Sequence, residues 1–369
     1  CCPERATIWS GRLSHNHGVA DNDTGVSESD DSTDFIKQKA LGYIDAYETD
    51  DAQPWFMQIS PHAPHDETTD PWFTWPERYN DVEVPARAPN PAFDLEGVGN
   101  PNGDDAIKTA KADKVSAIGR KTPGDGYAEL MDTYHHGQLK TLLPADDMID
   151  QVMRRLEANG ELDNTLVIFT SDNGFSVGER VVDSKGWPYR EHVSVPFWVR
   201  WPGVVPAGAT DLRPVGGEDI LPTLLDAAQY TPPTFGHPLD GRSFLPHQPA
   251  REFKYLEFGP GPGASDVTID NYQGHRAIPT WAAIRTPEFH YIEYYEGTGE
   301  GDTVADHTTL RSDGQEYYDL TRDPWQLDNL LSEEVAGVAK PDPARIAELS
   351  RRLGELRRCA GTTGANPCP

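Results

Sequence analysis

Nowhere does this chain approach the ~20 consecutive apolar residues that a bilayer-crossing helix needs, which excludes a membrane span from the sequence given. Basic residues are scarce, with 32 Lys and Arg against 60 Asp and Glu and a net charge of −28. That balance excludes nucleic acid as an expected partner, because phosphate binding wants a basic face. It also excludes long-range steering of an anionic substrate. Any anion site must therefore be a local knot of Arg, Lys, His and metal, and the remaining acidity reads as a solvated surface. Cysteine is limited to Cys1, Cys2, Cys359 and Cys368. The last two lie close together in a tail of Gly, Thr, Asn and Pro. A disulfide there would imply an oxidising compartment, and two free thiols are the alternative. There is no initiating Met, no signal peptide in view and no internal repeat. Either an upstream piece was removed or the sequence is a fragment.

What is present suits a loop-rich globular enzyme: 369 residues, 37% hydrophobic, with 33 Gly and 32 Pro. That length supports a large domain and a smaller companion. Apolar spacing predicts a helix over Thr33 to Tyr47 and a longer one over Leu130 to Asn159, with Pro144 a candidate kink and Gly160 its stop. WFMQIS (55–60), TLVIFTSDNG (165–174) and VPFWVRWPG (195–203) read as buried strands, and 66–127 as a surface excursion. Helix, short turn and apolar strand ending in polar residues is the grammar of a doubly wound α/β sheet, whose ligands sit at the C-terminal strand edges. DILPTLLDAA (219–228) reads as a helix. Beyond about residue 248, FKYLEF, WAAIRT, FHYIEYYE and QEYYDL predict a small antiparallel sheet, with an amphipathic helix over Ala344 to Cys359 packed on it.

Four motifs carry chemistry. Asp172 and Asn173, in TSDNG after an apolar strand, offer a carboxylate and an amide oxygen, both hard ligands suited to Ca²⁺. Asp-Asn-Gly is also an ordinary turn, and its place at a strand's C-terminal edge is what favours a metal role. Lys185 precedes a Val-Pro strand. PHAPH (61–65) follows the WFMQIS segment and holds His62 and His65. His135 and His136, in a helical pattern, read as surface histidines. The fourth motif is CCPERATIWSGR (1–12), in which Cys1 has Pro3 at +2 and Arg5 at +4, and Cys2 has neither.

Taken in order, these motifs resemble the formylglycine-dependent sulfatases of the alkaline phosphatase superfamily, closest to glucosamine-6-sulfatases and bacterial arylsulfatases. DILPTLLDAA and YYDLTRDPWQLDNL (317–330) match the family's later landmarks, and the likeness covers nearly the whole chain. It implies a mixed central sheet flanked by helices over 1–248, a small α+β domain over 249–358 and a tail over 359–369. It implies oxidation of Cys1 to formylglycine by a formylglycine-generating enzyme, although Glu4 stands where the family commonly has Ser. The hydrated aldehyde attacks sulfur, the alcohol leaves, and the second hydroxyl expels the held sulfate. Cys1, Asp172 and Asn173 would contact Ca²⁺, Arg5 the diol and sulfate, and His65 (with His62 as understudy) and Lys185 the sulfate or leaving oxygen. His15 and His17 match a turn after the signature without a chemical role. The implied substrate is an aryl or carbohydrate sulfate, and the implied location is secreted or periplasmic.

Two family pieces have no match: a first strand carrying a pair of metal-binding aspartates, and a Gly-Lys stretch between the signature and PHAPH. They point to an N-terminally truncated chain lacking an internal segment, and to weak activity in the chain as given. A phosphonate or phosphodiester hydrolase of the same superfamily, an inactive sulfatase fragment and a calcium-dependent glycan-binding protein are the alternatives. On co-expression with a formylglycine-generating enzyme, mass spectrometry of the N-terminal peptide is expected to find the aldehyde on Cys1. Aldehyde on Cys2 would refute the assignment.

Overall fold

The computed structural model describes residues 32–50, 54–67, 71–88, 90, 92, 113–114, 126–231, 238–249, 251–259, 268–269, 276–296, 309–359, 361–362 and 367–368. Cys1, Cys2, Arg5, His15 and His17 lie outside the described residues.

Helix α1 (Ser32–Tyr47) buries Ala40 and Ile44, one turn apart on one stripe, and leaves Phe35 and Tyr43 in solvent. It packs along α2 (Tyr127–Ala158). Arg155 of α2 pairs with Asp45 of α1, and Arg78 grips Asp34 through two hydrogen bonds of 2.6 and 2.8 Å. Helix α2 runs through Pro144, which is buried, and stops where Gly160 takes a left-handed φ of 79°. Its buried stripe is Met131, Tyr134, Gly137, Thr141, Ala145 and Met148, while the apolar Leu142 and Ile149 are exposed.

The excursion after residue 66 is more than surface. Phe73 is buried against α2, and a Cβ on Gly137 would lie 2.3 Å from its ring, so only glycine admits that ring. Lys140 is also buried. Its ammonium donates to the carbonyls of Tyr79 (2.7 Å), Asn80 (3.1 Å) and Val82, and lies 5.7 Å from the centre of the Trp75 ring. A cation tolerates such burial when its hydrogen-bond donors are all used.

After α2 come β1 (Val167–Thr170), the short hairpin β2 (Ser176–Val177) and β3 (Asp183–Ser184), helix α3 (Arg190–Val193), β4 (Phe197–Arg200) and α4 (Ile220–Ala227). Strands β1 and β4 pair antiparallel, with Phe169 opposite Trp198 and their rings stacked at 5.1 Å. Both strands are half-buried rather than buried, and Trp198 is 68% exposed. The WFMQIS segment is extended but joins no ladder among the described residues, and Phe56 is 53% exposed. Without a hydrogen-bonded neighbour an apolar run is not a strand, whatever its composition.

The later strands are β5 (Lys254–Phe258), the pair β6 (Thr268–Ile269) and β7 (Arg276–Ala277), β8 (Trp281–Arg285), β9 (Phe289–Tyr295) and β10 (Leu310–Asp319). Strands β10-β9-β8-β5 form one antiparallel sheet in that order. Helix α5 (Pro343–Leu356), capped by Asp342 accepting from the Ala344 amide at 2.9 Å, buries Leu349, Leu353 and Leu356 on one face of the sheet. The other face receives Val182, Trp187 and Tyr189. Cys359 and Cys368 are joined by a disulfide, with Cα atoms 5.0 Å apart.

Two buried ionic knots tie these layers. Glu218 and Asp219, at the start of α4, meet Arg251 and Lys254, with Arg251 bidentate on Asp219 at 2.7 Å for both bonds. Glu316 of β10, fully buried, accepts from the hydroxyls of Tyr318 (2.7 Å) and Tyr189 (2.9 Å). Replacing Lys140 by Met leaves three carbonyls without their donor, and a loss of about 1–3 kcal/mol is expected in urea unfolding with an unchanged m value.

Candidate active site

Two of the residues singled out in the sequence, 120 positions apart, come together: Lys185 Nζ lies 3.1 Å from His65 Nε2. The turn that presents His65 is closed by its own amide on the His62 carbonyl at 3.0 Å. His65 Nδ1 lies 2.8 Å from the backbone oxygen of Asp66 and 3.2 Å from Asp66 Oδ1. Facing two acceptors, Nδ1 carries the proton, and Nε2 is left to accept from the lysine ammonium. Asp66 is itself held by the Tyr134 hydroxyl, which donates to Oδ2 at 3.1 Å, so α2 orients the histidine through the carboxylate. The His62 and His65 rings meet edge to face at 5.1 Å, and His62 Nε2 is buried without a hydrogen-bond partner among the described residues.

Burial lowers the His65 pKa below its ordinary 6.5, and the adjacent Lys185 ammonium lowers it further; Asp66 pulls the other way. The net direction is down, so the imidazole stays neutral beside the lysine.

Lys185 sits at the end of the β2–β3 hairpin, where the backbone is left-handed on both sides of it, at Ser184 (φ 70°) and Gly186 (φ 97°). Left-handed backbone at a non-glycine residue clusters where a site dictates geometry. Asp172 and Asn173 stand half-buried just past the C-terminal end of β1. Ser171 Oγ donates to the Asn173 carbonyl at 2.8 Å, and Asn173 Nδ2 to the Gly174 carbonyl at 2.9 Å. The Gly174 amide then donates to the His192 carbonyl at 3.0 Å, and a Cβ on Gly174 would lie 2.1 Å from the Glu191 carbonyl oxygen. That close approach fastens the Asp172–Asn173 turn to the segment that follows Lys185.

Among the described residues no three His, Cys, Asp or Glu side chains cluster as a metal site. The donors of Asp172 and Asn173 fit Ca²⁺ in kind, but two fall short of its six to eight oxygens. His135 and His136 stay apart from the site: His135 lies near Arg87, which with burial lowers its pKa, and the His136 ring meets Trp75 edge-on at 5.9 Å. The sequence reading missed Asp66 and Tyr134. Asp66 had a signal in its adjacency to His65, whereas Tyr134 is brought in only by the packing of α2.

Residues 22–230 match the family model described as Sulfatase. This chain belongs to the sulfatase family. This chain is 29% identical over 356 residues to a goat N-acetylglucosamine-6-sulfatase, covering 91% of this chain and 57% of that protein. It is 29% identical over 364 residues to an arylsulfatase of Chlamydomonas reinhardtii, covering 91% and 52%. The chain thus spans little more than half the length of the curated relatives it matches. Its fold is similar to that of a protein solved in complex with its substrate D-glucosamine-2-N,6-O-disulfate, with a TM-score of 0.66, 20% identity, and 96% of this chain and 87% of that chain covered. It is also similar in fold to a phosphonate monoester hydrolase of Agrobacterium radiobacter, with a TM-score of 0.61, 23% identity, and 88% and 60% covered. The α/β class read from the sequence holds. In an NMR titration of this protein, Lys185→Met is expected to raise the His65 midpoint by removing a positive neighbour, and Asp66→Asn to lower it. Shifts of the same sign would contradict the geometry.

Proposed function

We propose that this sulfatase hydrolyses sulfate esters, aryl or carbohydrate, in an oxidising extracytoplasmic compartment. The observation that carries the reading is the Lys185–His65 pair at 3.1 Å. A sulfate ester brings a negative group whose leaving oxygen gains charge in the transition state, and donors fixed in advance stabilise that charge at little reorganisation cost. Lys185 supplies a permanent positive charge. His65, neutral and with its tautomer set by Asp66, supplies a polar edge that accepts from the lysine and gains a donor only on protonation.

The likeness to the goat and human proteins named N-acetylglucosamine-6-sulfatase supports a hexosamine 6-sulfate as one substrate class. The Cys359–Cys368 disulfide supports the compartment. In this reading Cys1, converted to formylglycine by a formylglycine-generating enzyme, supplies the nucleophile, and Ca²⁺ supplies charge neutralisation. Asp172 and Asn173 would hold the ion, with Cys1 beside it and Arg5 on the sulfate.

The test is an assay in calcium with an aryl sulfate, N-acetylglucosamine 6-sulfate and an aryl phosphonate monoester, after mass spectrometry has confirmed the aldehyde. Turnover of the sulfates is expected, together with a fall in kcat of about 100- to 1000-fold for Lys185→Ala. Asp172→Ala is expected to weaken calcium binding in calorimetry. Preference for the phosphonate, or sulfate turnover untouched by Lys185→Ala, would overturn the reading.

A further inference from the structure

We infer that Trp281, on β8 of the four-stranded sheet, is a positioning residue for Lys185. Its indole N–H donates to the Gly186 carbonyl at 2.8 Å, the carbonyl next after Lys185 in the chain. The inference rests on the reading above that Lys185 acts on the sulfate, but its geometry is independent of that reading.

The β2–β3 ladder ends at Ser184, so it cannot by itself fix the direction of Lys185. The backbone leaves the ladder through two consecutive left-handed turns, at Ser184 and Gly186, with Lys185 between them. Such a path is stiff only if its far side is tied down. Three ties lie within four residues. The Gly186 carbonyl is held by Trp281, Trp187 is 2% exposed in the cluster on the sheet face, and the Tyr189 hydroxyl binds Glu316. Of these, the Trp281 bond is the nearest to Lys185 along the chain, and it is directional.

Trp281 is well placed to serve as a fixed post. It is 4% exposed, its ring stacks on Phe258 at 6.0 Å and 9°, and it sits in register between Phe258 of β5 and Tyr294 of β9. A donor so held can orient a carbonyl without moving itself. If the bond is lost, the Gly186–Trp187 peptide can rotate, and the ammonium need not stay 3.1 Å from His65. A shift of about 1 Å at a reacting group can cost on the order of 100-fold in rate.

The experiment removes the N–H and keeps the bulk. Trp281→Phe, and benzothienylalanine incorporated at 281 as a second variant that keeps the bicyclic shape, are compared with the parent and with Phe258→Leu. Phe258→Leu loosens the same packing without touching the bond. The first readout is the His65 midpoint by NMR. It is expected to rise in both Trp281 variants as Lys185 relaxes away, and to stay unchanged in Phe258→Leu. In a Lys185→Met background, neither Trp281 variant is expected to move it further. The second readout is kcat in the aldehyde-bearing enzyme, expected to fall about 10- to 100-fold with KM changed little. A Tm loss with an unmoved His65 midpoint would make Trp281 merely structural and overturn the inference. So would an equal shift in the Lys185→Met background. An altered midpoint in a protein that hydrolyses no sulfate would keep the positioning role and sink the sulfatase reading instead.

Discussion

Everything at the candidate site depends on the burial of one segment against one sheet. Residues 182–189 press Val182, Trp187 and Tyr189 onto the aromatic face of β8, β9 and β10. That burial carries Lys185 on the turn at the end of the β2–β3 hairpin, brings its ammonium to a histidine far away in sequence, and draws the Asp172 turn along through the Gly174–His192 bond. The interaction is apolar in its energy and polar in its direction. Burial of large rings supplies the stabilisation, and the Trp281 indole and the Glu316 carboxylate set the orientation.

The sheet beneath is unusual in using buried carboxylates as acceptors for tyrosine hydroxyls. Glu293 receives Tyr291 and Tyr295, each at 2.6 Å, and Glu316 receives Tyr189 and Tyr318. A buried carboxylate is expensive unless its lone pairs are filled, and here phenols fill them from neighbouring positions on the same strands and from Tyr189 across the interface. The fully buried Tyr189, Tyr294 and Tyr318 have pKa values raised by burial first and by Glu316 next, so they remain donors across the working pH range. In a chain of net charge −28, some negative groups thus serve the interior, and Arg251 and Lys254 meet Glu218 and Asp219 in one buried knot.

Much of this was legible in the sequence. The helix over Thr33 to Tyr47 and the long helix ended by Gly160 follow from apolar spacing and a left-handed stop. The four aromatic strands follow from short apolar runs between turns, and the helix read over Ala344 to Cys359, found over Pro343–Leu356, from its amphipathic spacing. The acidic composition ruled out a broad basic surface and made a compact anion site the only option. His65 and Lys185 stood out because each ends or precedes a strand-like run in a familiar order. What failed was the assignment of burial: WFMQIS, Phe169 and Trp198 are apolar yet exposed or half-exposed, because composition reports a residue's preference and not which neighbour is there to cover it.

The periods and helix stops were legible because neighbours within a few positions set them, and the charge balance and the residue types available for chemistry because they are composition. That Lys185 meets His65, that Asp66 and Tyr134 set the histidine's tautomer, and that an indole on β8 holds the Gly186 carbonyl came from long-range packing. Apart from the adjacent His65–Asp66 pair, those contacts join residues tens to more than a hundred positions apart, and no local pattern encodes which distant group a side chain will meet. Packing selects the partner, and the hydrogen bond follows from what packing places within 3 Å or so of it.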